Sequence, residues 1–138
     1  GRWIRHGAWS PDYKLRLFKK EAAKYTGNDP HMKVVVEGKT ERLQGELLHY
    51  TMESFSDHLK TIDRYADIFA RRKMEESAGF SILLMTARPL FKFFEGYVWK
   101  GGFRDGMPGF IIAVTSAFAM FVRYVKFWER KFSIKNRS

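Results

Sequence analysis

The pattern of apolar and polar residues changes near residue 50, from short runs to a helical repeat. Before that point, short mixed, β-branched or aliphatic runs at 13–18, 33–36 and 43–50 are typical of strands. The turn residues Gly27-Asn28-Asp29-Pro30 separate the first two runs. This part of the chain therefore predicts an α/β segment built from short strands.

After residue 50, apolar residues recur at steps of four and three, which places them on one face of a helix. Ser54 and Asp57 have the spacing of a capping box, so this helix is predicted to begin at Ser54 and to end near Ala78-Gly79. Asp67 and Arg71, four residues apart, are predicted to pair on it. The apolar positions are Phe55, Leu59, Ile62, Ala66 and Phe69.

Two further helices are predicted toward the C-terminus. A helical stretch over about 81–99 contains Arg88-Pro89, where an interruption or kink is expected because proline lacks the backbone donor. Gly101-Gly102 should end this stretch, and an apolar helix should follow over about 108–132.

The segment 106–122 carries no charge, and basic residues lie on both sides of it. A helix over these 17 residues spans roughly 26 Å, slightly less than the ~30 Å hydrocarbon core of a bilayer. Basic flanking residues favour the cytoplasmic side of a membrane. A helix that lies in the interface keeps both flanks on that side, whereas a helix that crosses once places one flank on the other side. We therefore favour a monotopic segment over a crossing. A buried core helix is the third alternative, and it would suit the small residues Ala113, Ser116, Ala117 and Ala119.

Charge and aromatic residues concentrate in the same region. The net charge of +10 is divided unevenly, because residues 70–138 hold 13 Lys and Arg against 5 Asp and Glu. Cations mixed with amphipathic rings are typical of surfaces that meet anionic lipid headgroups. Nucleic acid is disfavoured as a partner, because the rings adjoin a long uncharged run rather than a polar platform. The predicted membrane contacts are Trp99, Phe110, Phe118, Phe121, Arg123, Tyr124, Lys126 and Trp128.

A plainer interpretation exists for the cations of the last helix, since basic residues near a helix C-terminus also interact favourably with the negative end of the helix dipole.

The predicted fold class is α/β followed by α. Short strands occupy residues 1–50, and three helices occupy residues 51–138, with the last ones at a membrane interface. The chain has no cysteine, which excludes disulfides and thiolate metal sites.

A succession of short motifs runs along the whole chain. They are Trp9-Ser-Pro-Asp12, Arg16-Leu-Phe18, Asp29-Pro-His31-x-Lys33, Leu43-x-Gly45-x-Leu-Leu-His49-Tyr50, Asp57-His-Leu, Arg64-Tyr65, Arg88-Pro-Leu-Phe-Lys-Phe, Gly102-Phe-x-Asp105-Gly106 and Gly109. In this order they resemble the C-terminal part of bacterial family 2 glycosyltransferases, specifically the lipopolysaccharide core group. The resemblance implies a GT-A fold, with a nucleotide-binding half and its acidic metal motif before Gly1. The chain would then be the acceptor side and membrane-associated tail of the enzyme, inactive by itself.

The resemblance also implies a chemistry. Sugar transfer needs a base for the acceptor hydroxyl and positive charge, usually a divalent metal such as Mg²⁺ or Mn²⁺, at the leaving diphosphate. His49 matches the histidine that completes the metal site, with a structural histidine as the alternative. Relatives carry an acid directly after the Pro-His pair, where this chain has Met32, so Asp29 or His31 is the candidate base. Both candidates can equally be residues that only shape or anchor the loop.

A sugar-binding wall is the other expectation. The Trp9 indole and the Asp12 carboxylate suit a pyranose, and Arg16 and Lys33 suit a phosphate, although an ordinary strand edge accounts for these side chains as well.

The function implied is transfer of a sugar from a nucleotide-sugar donor to a lipopolysaccharide core or another lipid-linked saccharide. It would take place at the cytoplasmic face of the inner membrane, on a peripheral or monotopic protein in contact with anionic lipids. The alternative is a non-catalytic basic module that only adheres to membranes.

Overall fold

The protein is seen in a computed structural model that describes residues 3–10, 12–27, 33–43 and 54–135. The chain forms two compact units. The helical unit consists of Gly1–Pro11 and Thr51–Ser138, and the hairpin unit consists of Asp12–Tyr50. The change of pattern near residue 50 thus coincides with a unit boundary, while the first eleven residues belong with the helices.

The hairpin unit contains strands β1 (Ala23–Thr26) and β2 (Lys33–Val36), which pair antiparallel with Ala23 opposite Val36. The β-branched run that predicted β2 is confirmed. The strand predicted over 13–18 is wrong, since that segment has no regular secondary structure. It alternates cations with exposed apolar residues, and no strand in the described part of the unit pairs with it. All but the first residue of the strand predicted over 43–50 lies outside the described residues.

Helix α1 (Phe55–Glu75) begins where the capping box predicted it. The Ser54 hydroxyl accepts a hydrogen bond from the backbone N–H of Asp57 at 3.1 Å and donates to the Asp57 carboxylate at 2.6 Å. The helix ends three residues earlier than expected, because Ser77 adopts a positive φ of 50°. Its buried face is formed by Ile62, Ala66 and Ala70.

Helix α2 (Ile82–Phe94) runs through Pro89 without the predicted interruption. The irregularity comes later, where Glu95–Trp99 form a π-helical turn closed by a bond from Lys100 N–H to the Glu95 carbonyl. The predicted stop at Gly101-Gly102 is confirmed, because Gly101 takes a left-handed φ of 68°.

Helix α3 (Met107–Lys135) is the longest element described and packs against both other helices. Rings join the elements, with Phe69 of α1 against Tyr124 and Phe80 against Phe127. The core residues of α3 are Ile112, Ala113, Thr115, Tyr124 and Phe127. The described part of the chain is thus mostly helical with a short antiparallel hairpin, which agrees with strands followed by helices.

Charged contacts fix the direction of α1 against α3. Lys126 lies 2.6 Å from Asp63, and one turn further along both helices Arg130 lies 2.9 Å from Asp67. The second contact lies four residues later than the first on each helix, so α1 and α3 run parallel. The predicted pair of Asp67 with Arg71 is wrong, because α3 brings Arg130 and Lys126 to this carboxylate instead. Their hydrogen bonds, that of Arg130 first, lower the pKa of Asp67.

Candidate membrane face and interhelical cavity

The N-terminal segment is held onto the helical unit by one carboxylate. Asp105 accepts hydrogen bonds from the backbone N–H groups of Arg5, at 3.0 Å, and His6, at 2.8 Å. The Asp105 carboxylate also lies 2.9 Å from Nδ1 of the His6 ring, and its side chain is only 8 % exposed. Burial of Asp105 opposes ionisation, but the hydrogen bonds from His6 and Arg5 outweigh it and lower the pKa of this carboxyl. The segment is therefore tied to a charged group in a sheltered site.

Glycines allow the backbones to meet around this carboxylate. A Cβ on Gly102 would lie 2.6 Å from the Gly96 carbonyl oxygen, and a Cβ on Gly109 would overlap the Gly102 carbonyl. Gly7 has a φ of 84° and donates its N–H to the Lys100 carbonyl at 2.9 Å. The motif Gly102-Phe-x-Asp105-Gly106 with Gly109 thus has a physical reason, which is the close seating of α3 on the turn before it.

The anchored segment lines one side of a half-open cavity of about 270 Å³ between the three helices. Ala8 and Trp9 form one wall, and residues of α1, α2 and α3 form the others. The polar and aromatic side chains around it are Trp9, His58, Thr61, Tyr65, Lys92, Thr115, Ser116 and Arg123.

The charge of this cavity is positive. Lys92 is matched by Glu95 at 2.8 Å, and Lys100 binds the other oxygen of Glu95 at 2.7 Å. Hydrogen bonds from Lys100 and Lys92 lower the pKa of Glu95 to about 2, so it is ionised at neutral pH. Arg123, by contrast, forms no ion pair with any residue of the described ranges. The guanidinium charge of Arg123 is therefore not matched by a carboxylate in the described walls of the cavity.

His58 also lines this cavity. Its ring meets Trp9 edge-on, with centroids 5.6 Å apart. Its Nε2 atom is buried and has no hydrogen-bond partner among the described residues. Burial lowers the pKa of His58 from its ordinary 6.5, so the ring is neutral at pH 7.

The opposite side of α3 is an exposed apolar stripe. Its members follow one another at helical spacing and are each 40–67 % exposed. The apolar stripe consists of Met107, Phe110, Ile111, Val114, Phe118 and Phe121. Phe93 and Tyr97 of the preceding stretch contact the Phe110 ring, so apolar residues of two helices adjoin there. Contiguous exposed apolar surface of this kind is typical of interfaces with membranes or proteins.

The stripe and the cavity lie on opposite sides of α3. Residues two positions apart on an α-helix point about 200° apart. Ser116, which lines the cavity, is two residues from Val114 and from Phe118, and Arg123 is two residues from Phe121. Met107–Ser133, 27 residues, is long and apolar enough for membrane association by length and composition.

The structure divides the residues predicted to contact a membrane. Phe110, Phe118 and Phe121 lie in the apolar stripe, and Trp99 and Trp128 are 66 % and 49 % exposed. The remaining three lie on the side of α3 that faces the other helices. Tyr124 is buried against Phe69, Lys126 pairs with Asp63 and Asp67, and Arg123 lines the cavity. The reason is that α1 covers the side of α3 on which the cations lie.

The residues predicted for chemistry are not brought into one described site. Asp29, His31 and His49 lie outside the described residues. Asp12, Arg16 and Lys33 are exposed on the hairpin unit, where Asp12 pairs with Lys14 at 3.1 Å. Trp9 belongs to the helical unit.

Metal ligation has no candidate in the described ranges, because no group of three or more histidine, aspartate or glutamate side chains comes together there. The sequence did not predict the cavity positions of His58 and Tyr65. The only signal was their presence in two of the short motifs, Asp57-His-Leu and Arg64-Tyr65.

Comparison with known proteins adds no identity to this geometry. No protein-family model matches the chain, and no solved structure matches it.

Proposed function

We propose that this chain is the acceptor-side and membrane-associated part of a glycosyltransferase. The enzyme transfers a sugar from a nucleotide-sugar donor to a lipid-linked saccharide at the cytoplasmic face of a bacterial inner membrane. The observation that carries the membrane part is the two-sided helix α3, which has the apolar stripe on one side and the charged helix α1 on the other.

The companion helix supports an in-plane position rather than a crossing. Nine of the 21 residues of α1 are charged, and α1 lies parallel to α3 beside residues 126–130. If α3 crossed a bilayer, much of α1 would enter the hydrocarbon with it. Each Asp, Lys or Arg at its centre costs about 2.5–3.5 kcal/mol on insertion scales. With α3 in the plane, the apolar stripe meets lipid while α1 stays in water.

The catalytic part of the proposal rests on the ordered motifs of the sequence. His49 is proposed for the metal site, and Asp29 or His31 for the base. The divalent metal and the donor nucleotide would be held mainly by the nucleotide-binding half that the resemblance implies.

The second candidate is a non-catalytic module that adheres to membranes. It is favoured by one observation, which is that the apolar stripe belongs to a part of the chain, residues 70–138, that holds 13 Lys and Arg against 5 Asp and Glu. Adhesion to an anionic membrane needs no metal or base beyond these features. Sugar transfer separates the two candidates. The full reading frame containing this chain should transfer sugar to a lipid-linked acceptor in the presence of Mn²⁺, and His49→Ala should lower turnover about 10-fold or more. Membrane binding without turnover would leave only the adhesive module.

Membrane binding itself is tested by vesicle flotation of the 138-residue chain. Phe118→Glu places a charge in the apolar stripe and should reduce the floating fraction on phosphatidylcholine vesicles containing phosphatidylglycerol by about 10-fold or more. Ser56→Glu adds the same charge to the exposed face of α1 and should float like the wild type. The wild type should also float in about 1 M salt. The Debye length there is about 3 Å, so a protein bound only by electrostatic attraction would be released. Release by salt, or equal flotation of both variants, would defeat the proposal.

A further inference from the structure

We propose that the interhelical cavity is a binding site for an anionic sugar, meaning a monosaccharide unit that carries a phosphate or a carboxylate. This inference rests on the proposed function, to which it adds the chemical class of the acceptor group held by the helical unit.

The charge of the cavity favours an anionic ligand. Arg123 is half-buried in the cavity wall and has no carboxylate partner among the described residues, whereas Lys92 beside it is already matched by Glu95. A sheltered guanidinium without a counter-ion is costly, and it binds phosphate or carboxylate in a planar, two-point geometry. An anion in the cavity would supply the missing charge.

Aromatic rings and polar groups occur together in the walls of the cavity. Trp9 and Tyr65 offer aromatic surface, which suits the apolar C–H faces of a pyranose. Ser116 offers a hydroxyl, which can both donate and accept a hydrogen bond. Sugar hydroxyls also donate and accept, so they can bond to this hydroxyl while the ring faces pack on the aromatic walls. An aliphatic or purely ionic ligand would leave one of these features unused.

The size and position of the cavity favour a single sugar unit. At about 270 Å³ the cavity is slightly below the range of about 300–1,000 Å³ for sites that take drug-sized ligands, so it suits one sugar unit rather than a whole lipid. It opens on the side of α3 opposite the apolar stripe. When the stripe lies in the interface, the cavity faces water. The group that reaches it is therefore one carried above the headgroup layer on a saccharide.

Glucose 6-phosphate, glucose and inorganic phosphate are suitable probes, with the indole N–H signal of Trp9 in nitrogen-15 NMR spectra as the local readout. Trp9→Phe identifies that signal among the four tryptophans of the chain. Glucose 6-phosphate should shift it in a saturable manner. Glucose and inorganic phosphate should each bind at least about 10-fold more weakly, because each lacks one half of the recognition.

Substitution of the cation provides the second test. Arg123→Gln should weaken glucose 6-phosphate binding by about 10-fold or more, whereas Arg71→Gln removes an equal charge from the exposed side of α1 and should leave binding unchanged. Circular dichroism monitors folding of both variants. The comparison of glucose with glucose 6-phosphate on the wild type requires no substitution, so it remains decisive if Arg123→Gln unfolds.

The results divide cleanly. Equal binding of glucose and glucose 6-phosphate, equal binding of inorganic phosphate, or no effect of Arg123→Gln would each overturn the site. Loss of glucose 6-phosphate binding on phosphatidylglycerol vesicles would assign the cavity to a lipid headgroup and overturn the saccharide. A wild type that floats with vesicles but binds no sugar phosphate would defeat this inference alone, while the flotation and transfer experiments judge the proposed function.

Discussion

At the scale of single residues, Asp105 holds most of the described hydrogen bonds between the N-terminal segment and the helices. It accepts two backbone N–H groups and contacts the ring of His6, all from a side chain that is only 8 % exposed. Hydrogen bonds to a carboxylate are stronger than those between neutral groups, and a buried donor left without its acceptor is costly. Trp9 follows the anchored residues Arg5 and His6 in the chain, so its position in the wall of the cavity depends on their bonds to Asp105.

Asp105→Asn is expected to lower the free energy of unfolding by about 1–3 kcal/mol at pH 7, because the charge that receives three contacts is removed. Asp63→Asn is the matched control. Its carboxylate is 65 % exposed and its ion pair with Lys126 is screened, so the loss should stay below about 1 kcal/mol. Urea unfolding followed by circular dichroism measures both values. Equal losses in the two variants would mean that the anchor is not Asp105.

The pH dependence of stability tests the same anchor. The folded pKa of Asp105 lies below its ordinary 3.8, so its contribution is complete above that value and is lost as the pH falls through the folded pKa. Glu95 adds a second loss between its ordinary 4.5 and its folded value of about 2. Stability of the wild type should therefore fall below about pH 4.5, and Asp105→Asn should show a shallower fall. Parallel curves for the two proteins would contradict this assignment.

At the scale of elements, the seating of α3 on the preceding turn depends on the absence of a side chain. Gly109 lies in the first turns of α3 against the carbonyl of Gly102, and Gly102 lies against the carbonyl of Gly96. Close backbone approach of this kind lets the short connection between α2 and α3 reverse the chain. It also sets the start of the apolar stripe at Met107.

Gly109→Ala should lower the free energy of unfolding by about 1–3 kcal/mol or more, because the added methyl group must push α3 away from the Gly102 carbonyl. The control is Gly79→Ala, where a Cβ would meet nothing within 4 Å, and stability should change by less than about 0.5 kcal/mol. Melting curves of the two variants give the comparison. A neutral Gly109→Ala would show that the turn tolerates a wider spacing.

At the scale of the whole molecule, local sequence patterns correctly predicted the features that interactions between neighbouring residues determine. The capping box at Ser54, the glycine stop after Lys100, the strand Lys33–Val36 and the extent of the apolar helix all depend on neighbouring residues. The features that the sequence did not predict depend on contacts between residues distant in sequence. Asp67 pairs across to α3, and Tyr124 and Lys126 face α1, because tertiary packing chooses which side of a helix is covered. The cavity is formed by the N-terminal segment together with all three helices, so no single motif predicts it.

The orientation of α3 to the bilayer gives the last prediction, and the absence of cysteine in the chain allows it to be measured with single labels. Ile111→Cys, Phe118→Cys and Phe132→Cys lie on one side of α3, and Arg71→Cys on the exposed side of α1 serves as the aqueous control. Ile111 and Phe132 are about 31 Å apart along the helix axis at 1.5 Å per residue. An in-plane helix places the three labels at one shallow depth, whereas a crossing helix separates the outer two by nearly the whole hydrocarbon thickness. Quenching of a fluorescent label by spin-labelled lipids at known depths should give one value for all three positions and none for Arg71→Cys. A graded series from Ile111 to Phe132 would establish a crossing and overturn the in-plane position.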